Sequence, residues 1–335
     1  MAPRARDRLV RFLVQRVKPR VASIPAIRNV LHDVSNTGEF GDVHEHEKML
    51  ADALRIDTYQ QAIARHVQPG DIVLDLGTGS GILAMLAARQ GAQRVYAVDH
   101  SPFIDVARRI ADHNGIDTIT FVQANSRDFT PPEPVDVIVH EQMGDDLFNE
   151  NMLENLLDLK RRVLKASGRI VPARFELFVE PISLRPQARV PYLWENRIHG
   201  IDFGFLAGDD QLEGFKRPSY QTHHLRDGAV SHFLTEPKPA VVVDIHRIDD
   251  PDQVPTLVDE ARTVVTPGIL DGFCVYFQAH FDDDLGFSTS PLAPPMHWGN
   301  RLFRVPQQTY ETGDKLAYRI ELAVLTRGST WSIKL

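Results

Sequence analysis

The stretch VLDLGTGSGIL, residues 73 to 83, decides the fold. Its apolar start, led in by Asp71 and Ile72, reads as a buried strand that runs straight into glycine. Gly77, Gly79 and Gly81 then open a helix, GILAMLAARQGA, which Gly91 closes. Glycines let a backbone turn sharply and approach a ligand without a Cβ in the way. Working outward, RVYAVDHS is a second strand and FIDVARRIADHNG a second helix with Gly115 as its stop. TITFVQAN and PVDVIVHE read as the third and fourth strands, and residues 149 to 166 as a helix closed by Ser167-Gly168. Upstream, residues 44 to 66 read as one helix with an apolar stripe of Met49, Leu50, Ala53 and Leu54. Strict strand–helix alternation implies parallel strands joined by right-handed crossovers.

The same turn selects a ligand. Asp75 ends the first strand and Asp99 the second, where an acid can accept hydrogen bonds from ribose hydroxyls. Nucleoside binding follows from the pair rather than from the glycines alone. A nicotinamide dehydrogenase favours G-x-G-x-x-G, whose third glycine packs the helix beneath a pyrophosphate. Here the glycines alternate, GTGSG, and Asp75 precedes them. That spacing suits S-adenosylmethionine, which has no phosphates and carries an amino group that needs an acceptor.

The bulk numbers bound the rest. A chain of 335 residues builds one large or two moderate domains. Its net charge of −8 argues against a general nucleic-acid binder and fits a cationic substrate. The single cysteine, Cys274, excludes an internal disulfide and a cysteine zinc cluster, and suggests a reducing cytoplasm. His44, His46, His223 and His224 match no zinc spacing, so no metal is expected. The first thirty residues are arginine-rich with interleaved apolar positions; they read as a basic surface helix, with a targeting peptide as the alternative. No apolar run there is long enough for a membrane span.

The pattern changes at Ile170-Val171-Pro172. Short strand-like runs follow, among them FELFVEPISL, AVVVDIHRI, GFCVYFQAHF and KLAYRIELAVL, which read as a β-sandwich or barrel. Residues 190 to 225 fit neither pattern; their Trp194, Phe203, Phe205, Leu206 and Tyr220 suggest a cap or an oligomerisation arm.

Past the apolar run Val135 to Val139 stands HEQMGDDLFNE, with Glu141 and Glu150 nine positions apart. Alone, such acids read as solvated loop residues. Placed at the end of a strand beside a nucleoside turn, they can grip a planar cation while the cofactor delivers a group to it.

With these segments together, the chain resembles the protein arginine N-methyltransferase family, a class I S-adenosylmethionine-dependent group, from about residue 36 to the C-terminus. VLDLGTGSGIL resembles the family's first motif, VYAVDHS its second, and HEQMGDDLFNE its double-glutamate loop. STSPLAPPMHWGN (288 to 300) resembles its Thr-His-Trp loop, with Met296 for the threonine, and HEKMLADALRIDTY (46 to 59) the helix that closes over the cofactor. The basic helical segment read above occupies 1–35; the resemblance implies a Rossmann-type cofactor domain over 36–171 and a β-barrel over 172–335, with a helical dimerisation arm inserted at about 190–225. It implies a homodimer. Glu141 and Glu150 would clamp the guanidinium. His46, Arg55, Asp75, Gly77, Gly79, Asp99 and Ser126 would hold the methyl donor, with Arg55 on its carboxylate. His297 and Asp52 would pair beside the clamp. Met49 and Met152 would crowd the acceptor nitrogen and favour a monomethyl or asymmetric product, and Phe40 and Trp298 would line the substrate site.

Two cations meeting in a dry site repel, and paired carboxylates cancel that while fixing the guanidinium plane. The departures lie around the substrate. Phe40 stands where a tyrosine would fall, Gln142 replaces a tryptophan, and Asp145 and Asp146 replace aromatics. The acceptor is therefore read as arginine in a protein or peptide, or free L-arginine. Another small guanidino compound, or a silent dimeric scaffold, is the alternative; the intact Glu141, Glu150 and His297 argue against silence.

Overall fold

The computed structural model describes residues 42–213 and 222–335. The parallel half carries β1 (Ile72–Leu76), β2 (Arg94–Asp99), β3 (Ile119–Gln123), β4 (Val135–His140) and β5 (Leu164–Val171), in the order β3-β2-β1-β4-β5. The central strands β1, β2 and β4 are largely apolar on both faces because helices cover both sides, and Val73, Leu74, Val95, Val137 and Ile138 are fully buried. The helices are α1 (Val43–Ala51), α2 (Ala53–His66), α3 (Ile82–Arg89), α4 (Ile104–His113) and α5 (Met152–Arg162).

Strand order reverses between β1 and β4, which pair directly with Leu76 opposite His140. Open α/β sheets bind ligands in the crevice at such a switch point, beyond the carboxyl ends of the strands. The glycine turn leaves β1 there and the double-glutamate loop leaves β4.

Two local readings change. Residues 44 to 66 form two helices, because Asp52 breaks the run at φ −75° and ψ 85° and caps α2 by accepting from Arg55 N at 3.1 Å. The helix expected to reach residue 166 stops at Arg162, and the chain from Leu164 becomes the edge strand β5. Ser167-Gly168 falls in an irregularity of that strand: Val135 pairs with Leu164 but Val137 with Arg169. A local turn signal and an apolar strand therefore share one segment.

Beyond the cis Val171–Pro172 peptide the sheets are antiparallel. One holds β6 (Arg174–Leu184), β9 (Thr222–Leu225), β10 (Val230–Phe233), β11 (Pro239–Asp244), β13 (Gly268–His280), β14 (Gly286–Ser288) and β15 (Asn300–Tyr310). The other holds β12 (Leu257–Thr263), β16 (Lys315–Leu322) and β17 (Trp331–Lys334). Phe175, Leu177, Val179, Phe273, Val275 and Phe277 meet Leu316, Tyr318 and Ile320 across one barrel-like core, which is continuous with the core of the parallel half. A buried ion pair, Arg262 to Glu180 at 2.9 Å, lies inside it and is further satisfied by Tyr318 and the Lys238 amide.

The described part of the arm is irregular. It has 3-10 turns at Leu193–Glu195 and Gly204–Leu206, a two-residue hairpin of β7 (Arg197–Ile198) and β8 (Ile201–Asp202), and a one-turn helix α6 (Asp210–Glu213). Val190, Ile198, Ile201 and Phe205 are left exposed on it.

Candidate active site

A cleft of about 350 Å³ opens over the switch point. On one side lies backbone. Gly77 and Gly79 adopt φ of +71° and +50°, which L side chains rarely adopt. A Cβ on Gly79 would stand 3.0 Å from His46 Cε1. His46 is buried and stacks on Phe103 with ring centroids 3.7 Å apart, so α1 covers the turn through this ring. Asp99 lines the cleft while its carboxylate accepts from Gly79 N at 2.8 Å and Ser101 N at 2.7 Å. A second hollow beside it, lined by Asp99, Asn125, Ser126 and Asn155, shares Gly77, Gln142 and Glu150 with the cleft.

Asp75 sits behind the turn rather than in the cleft wall. It accepts from Thr78 Oγ1 at 2.6 Å and Ala84 N at 3.0 Å, tying turn to helix α3. Burial pushes its carboxyl up to about 7, with those hydrogen bonds opposing the rise. Its Oδ1 has no hydrogen-bond partner among the described residues.

The other wall is made of side chains. Glu141 and Glu150 both line the cleft, as do Met49, Asp145, His297 and Trp298. Arg55 Nη1 donates to Glu141 Oε2 at 2.6 Å and Nη2 to the Met49 carbonyl at 3.0 Å; its buried Nε has no partner among the described residues. Arg55, expected on the donor's carboxylate, thus holds one of the two glutamates expected to form the clamp. Asp52 Oδ2 accepts from both the amide and the Nδ1 of His297, at 3.0 and 2.9 Å. Burial alone would raise the Asp52 carboxyl, but the bonds from His297 and the Arg55 amide outweigh it and hold it below its ordinary value. With Nδ1–H given to Asp52, a neutral His297 ring carries an acceptor lone pair on Nε2.

Met152 is fully buried in the core as the first residue of α5, and it does not line the cleft. Phe40 lies outside the described residues. Trp298 is packed more than it is presented: its Nε1 donates to the Met143 carbonyl and its ring stacks on Phe287 at 5.2 Å.

Sequence reasoning singled out Asp145 and Asp146 but not what holds them. Asp146 is buried and takes Arg301 in a two-pronged pair, Nε to Oδ1 at 2.7 Å and Nη2 to Oδ2 at 2.6 Å. Asp145 Oδ1 accepts from Gly299 N at 2.8 Å. These bonds fasten the glutamate loop to β15. The partners lie some 155 residues apart in the chain, so no local spacing announces them. Beneath the loop, His140 is buried and donates from Nε2 to the Pro172 carbonyl at 2.8 Å, and burial lowers it to about 4.

The cleft thus sets a glycine turn and the acid Asp99 on one side of the switch point, and a carboxylate pair on the other. Comparison with known proteins narrows the class. Residues 57–171 match the family described as Ribosomal protein L11 methyltransferase (PrmA). The histone-arginine methyltransferase CARMER of Drosophila willistoni is 30% identical over 343 aligned residues, covering 96% of this chain and 62% of that protein. Its Anopheles gambiae counterpart is also 30% identical, over 86% of this chain and 47% of its own length. The chain therefore spans roughly half to six-tenths of the length of these relatives. Among solved structures, the Trypanosoma brucei PRMT1 enzyme-prozyme heterotetrameric complex with AdoHcy superposes with a TM-score of 0.72 at 26% identity, over 84% of this chain and 88% of that one. Protein Arginine Methyltransferase 10 of Arabidopsis thaliana shares the fold at a TM-score of 0.72 and 24% identity, over 85% and 89% of the two chains. In sequence and in fold the chain is similar to these arginine methyltransferases.

Proposed function

We propose that this protein transfers a methyl group from S-adenosylmethionine to a guanidino nitrogen of arginine. The observation that carries the proposal is the placement of Glu141 and Glu150 in one cleft with the glycine turn. The cofactor fits the residues present. Gly77 and Gly79 offer bare backbone, Asp99 faces the ribose position, Ser126 and Asn125 wall the neighbouring hollow, and Arg55 keeps an unpartnered buried Nε–H for a carboxylate. When bound, the donor supplies a methyl group on a positively charged sulfur and leaves as a neutral thioether.

The protein's part is electrostatic and positional. Glu141 and Glu150 hold the guanidinium by charge-assisted hydrogen bonds, turn one nitrogen toward the methyl group, and offset the repulsion between the two cations. Methylation would make that nitrogen more acidic. Its proton passes to Glu150 or to Nε2 of His297, which Asp52 orients. Met49 bounds the acceptor side.

We read residues 36–171 and 172–335 as the donor and barrel units. The exposed apolar residues of the arm support a homodimer. The single buried thiol, Cys274, fits a reducing cytoplasm.

Mass spectrometry of methyl transfer tests the proposal, with an Arg-Gly-rich peptide and free L-arginine offered separately. A 14-dalton gain (one CH₂, roughly, in mass) on a guanidino nitrogen of either acceptor is expected. Tight donor binding with neither acceptor modified would favour the silent scaffold. Deleting residues 195–210 is expected to give monomers by light scattering, and a persisting dimer would make the arm a cap.

A further inference from the structure

Charge within the cleft points to a property of the acceptor beyond its guanidinium. Among the described residues, five carboxylates line the cleft, those of Glu45, Asp99, Glu141, Asp145 and Glu150, against two fixed cations, Lys48 and Arg55. With histidines counted as neutral, three negative charges are left over. The reaction proposed above supplies two positive charges: the donor, with one carboxylate against a sulfonium and an ammonium, and the guanidinium. One negative charge remains without a counterpart in the assembled site.

Four of the five carboxylates already have work or partners. Glu45 takes Lys48 at 2.7 Å, Asp99 takes two backbone amides, Glu141 takes Arg55, and Glu150 belongs to the clamp. Among the described residues, Asp145 has given only Oδ1, to the amide of Gly299. It is part-buried in the loop between the clamp glutamates, and that loop is held rigid by the Asp146–Arg301 pair next to it. A backbone hydrogen bond orients a carboxylate without neutralising it. An acid so held in a partly dry cleft gains most from a cation that arrives with the substrate.

Resting on the methyl-transfer reading above, we infer that Asp145 determines specificity for an acceptor that carries a second positive group close to its guanidinium. Two sources share that chemistry: a small guanidino compound with its own ammonium, and an arginine flanked by basic residues in a peptide.

Matched acceptors test this in the full-length protein. Agmatine and n-butylguanidine differ only by the terminal ammonium. Capped peptides with arginine between lysines or between glycines make the same comparison for a polymer. Expected is a kcat/KM at least about tenfold higher for the doubly charged member of one pair, a preference that shrinks with added salt. D145N should bring the ratio toward one, since asparagine can still accept from Gly299 while losing the charge. Preference within the small pair or within the peptide pair tells which source is used. Equal methylation of n-butylguanidine and agmatine, together with equal methylation of the two peptides, would overturn the inference and leave the methyl-transfer reading standing. So would a preference unchanged in D145N. If D145N fails to fold, a wild-type preference indifferent to salt overturns it instead. If no acceptor is methylated although the donor binds, the underlying reading fails, and this inference with it.

Discussion

The two walls of the cleft, proposed above to face donor and acceptor, are built by opposite means. The donor side is mostly backbone, shaped by Gly77 and Gly79 at positive φ and braced from behind by Asp75. The acceptor side is a row of side chains, Glu141, Asp145, Glu150 and His297, set on loops and oriented by neighbours from the barrel. Backbone recognition tolerates few substitutions, because adding any side chain fills the cradle. Side-chain recognition can be retuned one residue at a time, and it is there that Gln142, Asp145 and Asp146 depart from the family pattern. Arg55 spans the two walls, since it lines the cleft and holds Glu141.

Breaking the acceptor wall should have the largest effect. Glu150→Gln is expected to lower turnover by at least about a hundredfold with donor affinity nearly unchanged, the scale for losing a positioned catalytic group. Radiometric turnover and calorimetry of donor binding check both halves. Glu141→Gln should reduce turnover as well and also alter donor affinity, because it frees Arg55; identical donor affinity in both variants would separate the walls completely. On the donor side, Gly79→Ala should weaken donor binding by about tenfold, since a methyl at φ +50° is strained and crowds His46. Calorimetry with S-adenosylhomocysteine reads it. At the hinge between α1 and α2, Asp52→Ala should cost about 1 to 2 kcal/mol in urea unfolding through loss of a helix cap, besides disorienting His297.

The smallest effect concerns pH. His140 is held to about 4, so between there and its ordinary 6.5 the unfolded chain binds the extra proton and acidification destabilises the fold. Asp75 is raised to about 7 from 3.8, so in that interval the folded chain holds the extra proton and acidification stabilises it. The two oppose each other between about pH 4 and 6.5. Asp75→Asn removes only the second, and its urea midpoint should fall more steeply than that of the parent as pH is lowered from 6.5 to 4.5, over roughly this window. Parallel slopes would show that Asp75 is ionised throughout.

Much of the donor half was legible because its signals are local. A buried parallel strand reads as an apolar run, a glycine turn follows it, and the acid at the next strand's end completes the pattern. The break at Asp52 escaped because the apolar stripe runs on through Leu50, Ala53 and Leu54, while the cap depends on geometry that no stripe reveals. Strand β5 escaped because Ser167-Gly168 imitates a terminator inside it. On the acceptor side, residue types were legible and fastenings were not. Met152 shows the cost: the residue next but one to Glu150 points into the core, and only the helix start at that position decides it.

The Asp146–Arg301 pair has a consequence for any attempt to recombine this protein with a relative. The pair, the Met143 bond to Trp298 and the bare Gly328 that makes room for Asp146 tie a loop of the first half to the second. A Cβ on Gly328 would collide with the Asp146 carboxylate. A chimera spliced at residue 171 would therefore inherit the clamp glutamates from one parent and their scaffolding from the other. Such a hybrid keeps a rigid clamp only if Asp146, Trp298, Arg301 and Gly328 travel together as one unit.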